Sequence, residues 1–150
     1  MNAQILIASL KTQEINLDLL IEALEEQKYA IIRNDYIALE EVIINEQKIL
    51  KNITREETSI LRVIKEIAQQ FSLDLKVYSI NNLILYGKSY FGKELNELEK
   101  VRASVRVKVL KTKNVNMQLK DVIEFSRNLM KETMMMIAGQ NKHTLVNKRV

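Results

Sequence analysis

Tyr36 to Phe71 reads YIALEEVIINEQKILKNITREETSILRVIKEIAQQF. Leu39, Val42, Ile43, Ile49, Leu50, Ile53, Ile60, Leu61, Ile64, Ile67, Ala68 and Phe71 recur at spacings of three and four, which puts them on one side of a helix. The stripe persists for about five heptads, so it predicts coiled-coil packing along a helix about 50 Å long. Upstream, Ile5 to Arg33 reads as another long helix, with Ile5, Ala8, Ile15, Leu17, Leu20, Leu24 and Ile31 as its apolar positions. Its pattern is loose near Lys11 to Glu14, which predicts fraying of the first turns. Asn34-Asp35 supplies side chains that cap exposed backbone N–H groups, so the two helices should form an antiparallel hairpin joined there.

Composition points the same way. The chain has 150 residues, no Pro, no Trp, no Cys and only three Gly, so long helices run without breakers. We expect one all-α domain over 1–139, an elongated antiparallel helical bundle or coiled-coil hairpin, followed by a mobile basic tail at 140–150. Helix content should exceed roughly 70%. Without cysteine there is no disulfide framework, thiolate metal site or Cys nucleophile. No apolar run approaches the roughly 18 residues that span a bilayer, and Met1 to Leu10 lacks the marks of a signal peptide. A soluble cytoplasmic protein without membrane insertion is the expectation.

Charge is uneven. Residues 1–75 carry 8 Lys/Arg and 13 Asp/Glu, a balance of −5; residues 76–150 carry 15 and 6, a balance of +9. An acidic half lying against a basic half would orient the docking of the helices. Lys100 to Lys113 holds six cations and no acid, but no aromatics interleave with them, so nucleic acid is not an expected partner.

Ser72 to Gly92 is the least regular part. It reads as a short helix from about Leu75 to Leu85, then a loop, with Gly87 as a C-terminal cap and Ser89 starting the next segment. Gly87 to Gly92 fits no phosphate-binding fingerprint. Lys93 to Lys113 continues as helix through Leu95, Leu98, Val101, Val105 and Val109. Val105 to Val109 alternates like a strand, but no second strand exists to pair with it. The helix then either bends at Asn114 to Asn116 or runs through, with Gly139 as the stop.

Asn114 to Ala138, NVNMQLKDVIEFSRNLMKETMMMIA, contains five of the six methionines. Val115, Leu119, Val122, Ile123, Met130, Met134 and Ile137 share one side of the helix, and Phe125, Leu129 and Met136 widen it. Two readings stand. The row is bundle core with Met filling gaps, or part of it is an adaptable groove for a partner's amphipathic helix. His143 is the only histidine, and no nucleophile–base pair, ligand cluster or nucleotide fingerprint occurs. These features suit a binding or scaffolding protein with no cofactor, not an enzyme.

Two stretches resemble the FlgN family of flagellar type III export chaperones. Leu19 to Glu57 is similar to the family's leucine-rich helix, Asp-marked turn and Glu/Lys-rich helix, with Leu20, Leu24, Glu26, Ala30, Asp35, Leu39, Glu46, Lys48 and Leu50 in those roles. Asn114 to Leu119, followed by Phe125 and Leu129, is similar to its closing segment. The resemblance implies binding of helical terminal segments of hook-associated proteins, protection from premature assembly, and delivery to the flagellar export apparatus. A structural coiled-coil scaffold and a basic helical nucleic-acid binder are the competing readings, and the stripes would also allow a homodimer. Circular dichroism of the purified chain should show a helical spectrum; substantial strand signal would instead rehabilitate the Val105 to Val109 alternation.

Overall fold

A computed structural model describes the backbone of residues 2–149 and the side chains of residues 3–139. It is 89% helical, with no strand among the described residues. Helix α1 spans Asn2–Ile32, α2 spans Tyr36–Gln70, α3 spans Ile80–Gly87 and α4 spans Glu94–Arg149. The turn between α1 and α2 is tight. Asn34 takes a left-handed φ of 55° and the Asp35 side chain caps α2 by accepting from the Ala38 amide at 3.1 Å.

Helix α1 is the element that both other long helices pack against. Helix α2 runs antiparallel to it. Helix α4 runs parallel to it: Lys11 pairs with Glu97, Glu14 and Asp18 with Lys108, and Lys28 with Gln118, so both chains advance together. The acid-to-base docking is therefore made, between parallel helices. Residues 71–93 dictate this direction, because they cap the end where α1 begins and launch α4 from there. Lys108 reaches Asp18 at 2.8 Å and Glu14 at 3.3 Å. The Asp18 hydrogen bond comes first among the causes that raise its pKa, outweighing burial, which lowers it. This contribution is present below the ordinary lysine range and is lost only as pH climbs through the raised value.

The core has two parts. The first holds Leu6, Ile7 and Leu10 of α1, Ile64 and Ile67 of α2, Leu83 of α3, Phe91, and Leu98 of α4. The second holds Leu20, Ile21 and Leu24 with Val42, Ile49, Val115 and Leu119. Between them lie two buried polar side chains. Gln13 donates to the Ile53 carbonyl at 3.2 Å and accepts from Asn16 at 3.2 Å. This polar layer is what made the α1 stripe look loose near Lys11 to Glu14. The first turns do not fray: Leu6 and Leu10 are among the most buried residues.

Other expectations shift. Ile5 and Ile15 face solvent, and Leu6, Ile7, Leu10 and Ile21 do the packing instead. The short helix starts at Ile80 because Ser79 caps it, accepting from the Asn82 amide at 3.1 Å. Gly87 is the last residue of α3 and has no left-handed backbone; it is small because an added Cβ would sit 3.0 Å from Leu73 Cδ1. Ser89 lies in a 3₁₀ turn, Lys88–Tyr90, and α4 begins only after Gly92, whose φ of 60° suits glycine. Helix α4 is continuous through Asn114 to Asn116 and through Gly139, so neither the bend nor the stop is present. Side chains of 140–149 and all of Val150 lie outside the described residues, and the expected mobile tail falls there.

On α2, Ile60 is 9% exposed while Leu50 is 44% exposed, at the edge of the stripe. Ile60→Ala should therefore cost about 2–4 kcal/mol. Leu50→Ala should cost less than about 1 kcal/mol. Chemical denaturation of the two variants checks the ranking; equal losses would mean that Leu50 is core.

Candidate partner-binding surface

The seven residues proposed for partner binding occupy three environments. Val115 and Leu119 are buried in the second core cluster, packed with α1 and α2. Val122 and Ile123 are half-buried, and Ile123 leans on that cluster. Met130, Met134 and Ile137 are exposed, Met134 at 65%. They lie on the same side of α4 as Leu119, so the row that is core along the bundle continues past it uncovered.

Helix lengths explain the change. Helix α1 has 31 residues and α4 has 56, so their lengths are about 46 Å and about 84 Å. Lys28, near the end of α1, already meets Gln118. Beyond about residue 123 only the hairpin tip lies beside α4, across a groove that reaches Ser126, Arg127 and Met130; past Met130 the described side chains of α4 are all exposed and the helix projects as an arm. Among the described residues of the arm, Phe125, Leu129, Met130, Met134, Met135, Met136 and Ile137 are all large, apolar and exposed.

The root of the arm is shaped. A groove of about 380 Å³ lies where the arm leaves the bundle, lined by Ala30 and Ile31 of α1, Tyr36, Leu39 and Ile43 of α2, and Ile123 and Met130 of α4. Beside it, Ile32, Tyr36 and Ile37 expose apolar surface at the hairpin tip. Sequence reasoning missed this tip, because it treated Asn34-Asp35 only as a turn. The available signal was the pair of large apolar residues flanking each side of the turn, Ile31-Ile32 and Tyr36-Ile37, more apolar than a solvated loop requires.

Chemistry is sparse here. Among the described residues, no group of His, Cys, Asp or Glu is placed to hold a metal ion. His143 lies outside the described side chains. No helix of the described residues is long and apolar enough to cross a membrane. Two buried acceptors near the groove end of the hairpin make no hydrogen bond to another described residue, Gln27 Oε1 and Glu46 Oε2. Burial pushes the Glu46 carboxyl above the ordinary carboxylate range.

The geometry defines an elongated all-α protein with an exposed apolar row along the end of α4 and a shaped groove at its root. The chain itself belongs to the FlgN family, since the family model described as FlgN protein matches residues 1–148. Membership places it among chaperones of flagellar biogenesis, with a general role in flagellar export. No curated protein and no solved structure matches the chain.

The Glu46 environment gives a pH prediction. A raised carboxyl pKa means that ionised Glu46 opposes folding above that value, and the opposition is relieved as pH falls through it. Glu46→Gln should therefore raise the melting temperature at pH 7, and the gain should vanish near pH 4. A variant that melts lower at pH 7 would show that the carboxylate is well paired.

Proposed function

We propose that this chain holds the helical terminal segments of hook-associated proteins along the α4 arm and the hairpin tip, in the cytoplasm, until they are handed to the export apparatus. The observation that carries the reading is the uncovered continuation of the core row: Leu119 is buried against α1 and α2, whereas Met130 only edges the groove and Met134 and Ile137 on the same side have no covering helix among the described residues. A client helix laid there would occupy the place that α1 vacates. The groove at the root would seat one end of it, and Ile37 and Tyr36 would meet a neighbouring turn.

Magnitudes favour a reversible complex. Burying Leu129, Met130, Met134 and Ile137 contributes about 1.5–3 kcal/mol each. Association costs about 4–15 kcal/mol, so the surplus is modest. Release then needs no covalent step. Methionine supports the reading further, because its unbranched side chain re-packs against clients of different shape. Covering an apolar terminal segment in this way keeps it from associating before assembly. Delivery to the export gate is part of this reading through the family's general role.

The test separates arm from core. Met134→Glu with Ile137→Glu should leave the melting temperature unchanged and abolish binding to a helical terminal fragment of a hook-associated protein. Leu119→Glu should lower the melting temperature sharply, because it buries an unpaired charge. Undiminished fragment binding by the Met134→Glu, Ile137→Glu variant would count against the arm as the client site.

A further inference from the structure

A second surface of α4 faces away from α1. Val107, Leu110 and Met117 are 63%, 58% and 64% exposed on it. Together with Asn114 they fall at spacings of three and four, forming a narrow seam over residues 107–117. In heptad notation Val107 and Asn114 take a positions, and Leu110 and Met117 take d positions. Arg106, Lys113 and Lys120 then fall at three successive g positions, and Lys111 at an e position. None of these four cations makes an ion pair with a described residue. Lys108, one turn from them, is instead consumed by Asp18 and Glu14.

We infer that this outer seam, distinct from the arm, is a coiled-coil docking site for an acidic amphipathic helix of a second protein. The e and g positions of a coiled coil choose its partner by charge, and a run of basic g positions asks for acidic ones opposite. A polar Asn at one a position fixes register, so the matching helix carries a polar a residue facing Asn114. The α2 of a second copy of this chain fits poorly, because its outer face carries Lys48, Lys51, Arg55, Arg62 and Lys65. Docking of a second copy through its acidic α1 face would show as salt-sensitive self-association of the full chain in sedimentation, and that result would overturn the inference. A nucleic acid would leave the apolar seam uncovered, and a membrane surface would bury Asn114 in the middle of it. Asp121 and Glu124 end the basic run, so the site is about two heptads long and binds weakly and salt-sensitively. The chaperone would then engage this helix while the arm holds its client.

The probe is a synthetic helix of about three heptads, with Leu at d, Ile and one Asn at a, and Glu at every e and g position. Its counterpart carries Lys at those positions. Fluorescence anisotropy with the full chain should show binding of the Glu peptide only, weakened at least about tenfold between low and high salt. Arg106→Glu, Lys113→Glu and Lys120→Glu together should keep the fold, lose the Glu peptide and gain the Lys peptide. Met134→Glu with Ile137→Glu should leave Glu-peptide binding unchanged; if it abolishes that binding, the peptide sits on the arm and the inference fails while the client reading stands. The inference also fails if neither peptide binds, if both bind alike, or if the three-site reversal leaves peptide binding unaltered while abolishing binding to phosphatidylserine vesicles or duplex DNA.

Discussion

Helix α1 buries two rows of side chains, one against α2 and one against α4, and this double burial organises the molecule. A helix covered on two sides must be apolar over much of its circumference, which is why α1 lacks the clean stripe of α2. The polar layer of Gln13 and Asn16 interrupts those rows near their middle. It ties α1 to the Ile53 carbonyl of α2 and so fixes how the hairpin is set. Lys108 does the corresponding job for α4, bridging to Glu14 and Asp18 one turn apart on α1. The long-range charge pairs are partly exposed, so they select the alignment more than they stabilise it.

The proposed function rests on α1 being shorter than α4. Up to about residue 123 the inward row of α4 is core; beyond it the described residues of the same row meet only the hairpin tip, across the groove at Met130. An isolated helical segment of the arm's length is marginal in water, and tertiary packing normally supplies the rest. Here the arm is helical because it extends a helix already nucleated in the bundle. Its apolar side is therefore presented in helical form, ready for an amphipathic partner, at the cost of leaving apolar surface in water.

Much of the fold was legible because it depends on local chemistry. Missing prolines, the α2 stripe and the Asn34-Asp35 cap gave long helices and a hairpin. Helix direction was not legible: nothing in the α4 sequence says that residues 71–93 return the chain to the start of α1. Leu50 shows the limit of a stripe argument, since periodicity places a residue on a side but does not say how far the neighbouring helix reaches across it. The same limit divides the α4 row. Val115 and Ile137 look equivalent in sequence, and only the end of α1 makes one core and the other surface. A count of the cations in Lys100 to Lys113 does not show the outer seam; it emerges only when Val107, Leu110, Asn114 and Met117 are placed at heptad positions.

Amide hydrogen exchange on the full chain, with and without a helical terminal fragment of a hook-associated protein, tests the central claim most directly. Without the fragment, residues 124–139 should exchange quickly while the rows around Leu6, Leu10, Leu20 and Ile67 exchange slowly. With it, protection should appear on residues 124–139 and at the hairpin tip around Ile32 to Ile37, and the core rows should not change. Protection confined to α1 or to the flank of α2 around Leu61, with the arm still exchanging quickly, would contradict the account.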